Sequence, residues 1–78
     1  MTTSITTLAL NLLVSERIGQ RYIFADKIIA LVQETQDDSE NKKDFLNVIT
    51  LCIEDPSSEA RNTFVQLAQY YAEKINAA

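Results

Sequence analysis

The chain has 78 residues, and its seven Lys and Arg against eleven Asp and Glu give a formal net charge of −4. It has no histidine and one cysteine, which excludes an intrachain disulfide and argues against a zinc site or a histidine acid–base centre. A hydrophobic content of 46% with one Gly and one Pro predicts one folded, all-α domain over residues 1–78, with no cofactor or metal.

The first apolar segment predicts a helix over residues 5–14, capped by Thr3 or Ser4. Its apolar residues recur at helical spacing in one stripe: Ile5, Leu8, Ala9, Leu12 and Leu13. Leu10 and Val14 lie outside this stripe, so the helix is expected to need neighbours on more than one side. No Lys or Arg precedes the run, and no stretch is long and apolar enough to span a bilayer. We therefore expect neither a signal peptide nor a membrane segment, and a cytoplasmic protein.

A second helix is predicted over residues 16–35, with Ser15 as its N-cap, although a single helix bent near Gly19 is the alternative. Its core face is expected to hold Phe24, Ala25, Ile28, Leu31 and Val32. Ile23 projects from the other side, which makes it a candidate for partner binding. Arg17 and Arg21 lie one turn apart near the core face. They can cover the end of the core or form an anion-binding pair, and we favour the structural role.

A polar, acidic loop is predicted over residues 36–40, followed by a third helix over residues 41–54 that is opened by Ser39 or Asn41. Its apolar stripe places the thiol on the core face: Phe45, Val48, Ile49, Cys52 and Ile53. The acidic candidates for partner binding belong to this region: Asp37, Asp38, Glu40 and Asp44. A calcium site is not expected here, because the turn glycine and the ligand spacing of such a loop are missing.

The fourth helix is predicted over residues 56–76, with Asp55 as N-cap and Pro56 in its first position, so that a tight proline corner joins helices three and four. Its apolar face is regular: Ala60, Phe64, Leu67, Ala68, Tyr71, Ala72 and Ile75. Tyr70 falls on the polar side. It is either an interface tyrosine or a ring lying flat over its own helix, and the sequence leaves both open.

The first three helices carry more apolar surface than a monomeric four-helix domain needs, so we expect a compact bundle that forms a two-fold homodimer. The lack of catalytic residues predicts that the chain is not an enzyme. The function predicted is a small acidic protein–protein interaction module: an adaptor, a small chaperone or an inhibitor of a larger protein. Its size and charge also suit a phage- or plasmid-encoded inhibitor.

Two other functions stay open at the level of sequence. The acidic segment 34–44 could mimic nucleic acid and block a basic nucleic-acid-binding protein. Alternatively, the corner at residues 53–58 resembles the turn of a helix-turn-helix DNA-binding regulator in outline. Direct nucleic-acid binding is disfavoured, because the chain lacks the broad basic surface that such binding needs.

Overall fold

The computed structural model describes residues 4–35 and 39–77, which fold into four α-helices without a strand among them. The helices are α1 (Ile5–Val14), α2 (Ile18–Gln33), α3 (Ser39–Glu54) and α4 (Ala60–Ala77). The all-α, four-helix prediction is confirmed. The alternative N-cap Thr3 and residues 36–38 of the predicted loop lie outside the described residues. Ser39 and Glu40 belong to α3, which therefore begins two residues earlier than predicted.

Each helix packs beside its neighbours in the order of the chain, and α1 closes the ring by packing on α4. α1 and α3 also touch across the centre of the bundle. In the described ranges, no helix combines the length and the apolarity needed to cross a bilayer.

The predicted α1 stripe is part of the core, since all five of its residues are buried. Ser4 caps the helix as one of the two predicted candidates, and its hydroxyl accepts a 3.1 Å hydrogen bond from the backbone N–H of Thr7. Leu10 and Val14 are exposed, so the described helices do not cover the two positions for which additional neighbours were expected.

Ser15 has a different role from the predicted one. Its backbone N–H and its hydroxyl both donate to the carbonyl of Asn11, the hydroxyl at 2.7 Å, so Ser15 closes α1. α2 starts only at Ile18, after an N-cap residue, Arg17, that makes no side-chain capping bond. α1 and α2 are therefore separate helices, not one bent helix.

The corner between α3 and α4 comprises residues 55–59, and α4 begins at Ala60, four residues later than predicted. The Asp55 carboxylate does not cap α4, because it accepts from the backbone N–H of Ser57 at 3.0 Å and from its hydroxyl at 2.7 Å. These hydrogen bonds hold the pKa of Asp55 below its usual 3.8. The aspartate thus makes a turn of its own before the helix can start.

Three buried aromatic rings join α3 to α4. The Phe45 ring stacks on Tyr71 with a centroid distance of 5.3 Å and meets Phe64 at 5.7 Å. On α2 the core is narrower than predicted, because Phe24 and Leu31 are only partly buried. Arg21 occupies the remaining buried position on that face.

Arg21 is the buried cation of the described structure, with 8% of its surface exposed. Its Nε donates to the carbonyl of Ile53 at 2.6 Å, and its Nη1 donates to the carbonyl of Ser15 at 2.8 Å. Both acceptors lie at the C-terminal ends of helices, where carbonyls lack intrahelical partners and the helix dipole favours a positive charge. Arg21 therefore ties the ends of α1 and α3 to α2.

Candidate functional site

A polar groove runs between α3 and α4, which lie side by side in opposite directions. We call it the α3/α4 groove, and it has a volume of about 430 Å³. α3 and α4 line it with Asn41, Asp44, Asn47, Val48, Thr63, Gln66, Leu67 and Tyr70. Val48 and Leu67 are partly buried against the core and form an apolar floor, while the walls carry carboxylate, amide and hydroxyl groups.

The groove brings together two of the partner-binding candidates, Asp44 and Tyr70. The Tyr70 ring lies edge-on to Tyr71 with a centroid distance of 5.2 Å, and Lys74 Nζ stands 5.0 Å from the Tyr70 centroid. The Tyr70 hydroxyl accepts a long, 3.4 Å hydrogen bond from Asn41 Nδ2 across the groove. Tyr70 is therefore half-buried and held in place at one end of the groove, closer to the flat-lying alternative than to a free interface tyrosine.

The other acidic candidates are less well placed. Glu40 is exposed on α3, one turn before Asp44 and outside the groove lining. Asp37 and Asp38 lie outside the described residues. Within the described part of the chain, no group of three or more metal-ligating side chains comes together, and Asp44 is the one carboxylate that lines the groove.

A second surface lies on the opposite side of α3, where α3 meets α2. A notch of about 140 Å³ opens there, about the size that holds a benzene ring. Its lining is apolar except for two residues at one end: Ile28, Ile29, Val32, Gln33, Lys42, Phe45, Leu46 and Ile49. Lys42 Nζ donates to the carbonyl of Thr35 at 2.6 Å, so its charge is used to join α3 to the end of α2.

Exposed apolar residues also lie beyond the notch along α2, with the exposed Asp26 beside them. At 100° per residue, Ile18 and Tyr22 fall within about 20° of Ile29 around the helix, and the three span about 16 Å along its axis. Ile18 is 49% exposed, Tyr22 52% and Leu46 42%. We call Ile18, Tyr22, Ile29 and Leu46 the α2/α3 seam.

The remaining candidates lie apart from both surfaces. Ile23 is exposed, but it projects about 120° away from Ile29 around α2. Arg17 is exposed, whereas Arg21 is buried and donates to two carbonyls. The two arginines do not form a common anion site, and Arg21 has the structural role that we favoured.

Cys52 has no features of a reactive thiol. It is fully buried, and this burial raises its pKa above the usual 9.0, although the Ser58 hydroxyl and the Arg61 charge act in the opposite direction. Because the thiolate is the nucleophile, a buried cysteine with a raised pKa reacts slowly.

Sequence reasoning missed several residues of both surfaces, among them Asn47, Thr63 and Gln66 of the groove. The usable signal is spacing: polar residues recur at i, i+3 and i+6 on α3, and at i, i+3 and i+7 on α4. Each series alone reads as a solvated helix face. The chain matches no protein-family model, and searches against curated proteins and against solved structures returned no match.

Proposed function

We propose that the chain is a small acidic protein–protein interaction module of the cytoplasm, which forms a homodimer through the α2/α3 seam. The observation that carries this proposal is the seam itself: an apolar stripe along two packed helices, next to a notch that can receive one side chain. Exposed apolar residues grouped on one side of a small protein often mark a contact site. An adaptor, a small chaperone or an inhibitor of a larger protein would all act in this way.

The size of the seam sets the strength of the expected dimer. Ile18, Tyr22 and Leu46 are each about half exposed, which amounts to about 300 Å² of apolar surface. Since interfaces are about 57% non-polar, a patch built around them covers about 500 Å² on each chain, or about 1,000 Å² in total. That is the lower limit for a specific interface, so a dissociation constant in the micromolar range is expected.

The test is the mass in solution of the wild type and of two matched variants. The wild type should approach twice 8.8 kDa at high micromolar concentration. Leu46→Glu places a charge in the seam and should give a monomer. Leu51→Glu is the control, because Leu51 is also exposed on α3 but lies about 140° away from Leu46 around the helix. A wild type that stays monomeric, or two variants with the same mass, would contradict the proposal.

The two other functions predicted from the sequence stay predictions. For a helix-turn-helix role, the first two turns of α4 offer Arg61 as their one cation, which is little for phosphate contacts. For nucleic-acid mimicry, Glu34, Glu40 and Asp44 are exposed. Duplex DNA at low salt separates these classes, since only a direct DNA binder would shift it.

A further inference from the structure

We infer that the α3/α4 groove binds an extended, basic segment of a partner protein. This inference rests on the proposed interaction function and adds the surface and the chemistry of the partner.

The first argument is the spacing of the groove walls. α3 contributes Asn41, Asp44 and Asn47, which span about 9 Å along the helix axis. An extended polypeptide advances about 3.3 Å per residue, so this length matches about three residues. Both helices present a polar side chain about every 4.5–6 Å, so an extended main chain in the groove would pass hydrogen-bonding groups on both walls.

The second argument is unused hydrogen-bonding capacity. In the part of the chain that the structure describes, the side chains of Asp44, Asn47, Thr63 and Gln66 make no hydrogen bond or ion pair. A side-chain amide offers two donors and one acceptor, so it can pair with a peptide N–H and a peptide C=O together. Asn47 and Gln66 stand on opposite walls and can hold the main chain of a segment between them.

The third argument is the apolar floor. Successive side chains of an extended chain point in opposite directions, so alternate residues would face Val48 and Leu67 while the others face solvent or the rim. The floor therefore selects an aliphatic side chain next to a polar or charged one.

The charge of the groove determines the sign of that charged side chain. Asp44 is the carboxylate that lines the groove, Glu40 is exposed one turn away, and the whole chain carries a net charge of −4. Two cations lie near the groove: Lys74 stands over Tyr70 at one end, and Lys43 is exposed on α3 one turn before Asn47. An arginine or lysine of the bound segment would therefore lie near Asp44, away from Lys74. A phosphate-bearing ligand is disfavoured because no cation lines the groove.

Dimerisation does not compete with this site. Asp44 and Leu46 project about 160° apart around α3, so the groove and the seam occupy different sides of the same helix. The two interactions can be measured separately on one sample.

The test uses three acetylated and amidated pentapeptides of sequence Thr-Val-Xaa-Val-Thr, in which Xaa is arginine, glutamine or glutamate. They are titrated into ¹⁵N-labelled protein, because the side-chain NH₂ signals of Asn47 and Gln66 are visible directly. We expect the arginine peptide to shift these signals with a dissociation constant of about 0.1–1 mM, since so short a ligand makes few contacts. The glutamate peptide should leave them unchanged.

The matched variants are Asp44→Asn and Asp26→Asn, which remove the same charge inside and outside the groove. Asp44→Asn should weaken arginine-peptide binding about three- to fivefold, as expected for an exposed ion pair, and Asp26→Asn should not. Equal binding of the arginine and glutamate peptides, shifts confined to the seam, or no shift at about 5 mM would overturn the inference. If an intact dimer binds no peptide, only the inference about the groove is overturned. If the wild type is strictly monomeric, the proposed function is overturned.

Discussion

Replacing Arg21 by alanine should destabilise the protein more than any change at its surface. The side chain is 8% exposed and makes two short hydrogen bonds, to the carbonyls of Ile53 and Ser15. A hydrogen bond with a charged partner contributes about 1.5–3 kcal/mol, so losing both should lower the free energy of unfolding by about 3–6 kcal/mol. A chain of 78 residues has a total of only about 4–12 kcal/mol.

The measurement is urea unfolding followed by circular dichroism at one fixed protein concentration, since dimerisation would otherwise change the apparent stability. Arg17→Ala is the control, because Arg17 is exposed and should cost less than about 0.5 kcal/mol. The loss of stability in Arg21→Lys should lie between the losses in Arg17→Ala and Arg21→Ala, since an ammonium keeps the charge but lacks the planar geometry that reaches both carbonyls. An Arg21→Ala variant within about 1 kcal/mol of the wild type would refute the idea that Arg21 joins the helix ends.

Two further predictions concern the core. Phe64→Ala should lower the free energy of unfolding by about 3–5 kcal/mol, because Phe64 is fully buried against Phe45. A variant with the same urea midpoint as the wild type would show that this face of α4 is not part of the core. Cys52 should react slowly with a thiol reagent in the native state and rapidly in denaturant, since burial both covers the thiol and raises its pKa. Equal labelling rates in the two states would contradict its buried position.

The helices were predictable because their signal is local. On α1 all five residues of the apolar stripe are buried, and the aromatic contacts of Phe45, Phe64 and Tyr71 follow from stripes that the spacing defines. A 3.6-residue period indicates which side of a helix faces the core, whatever the helix packs against.

The ends of the helices were less predictable, because a short polar side chain has several local partners. Ser15 can cap the helix after it or close the one before it, and Asp55 can cap α4 or form its own turn. The choice depends on the backbone path between the helices. Arg21 shows the same limit: its position near the core followed from the period, but its acceptors belong to α1 and α3, whose positions the period does not fix.

The groove and the seam needed the tertiary structure, since each is made by two helices. The sequence makes Asp44 a partner-binding candidate as part of an acidic segment. Its neighbours in the groove are Asn47 and Gln66, whose spacing alone is typical of solvated helix faces. Leu46 and Ile29 line one notch only because α2 and α3 lie side by side.

The two-sided use of α3 has a consequence for avidity. A symmetric pair joined along the seam would carry two identical grooves on its outer sides. A ligand with two basic segments on a flexible linker could then engage both, and the second contact would form at an effective concentration in the millimolar range. Weak single sites could thereby give tight, multivalent capture, which a monomeric Leu46→Glu protein would lose even with its groove intact.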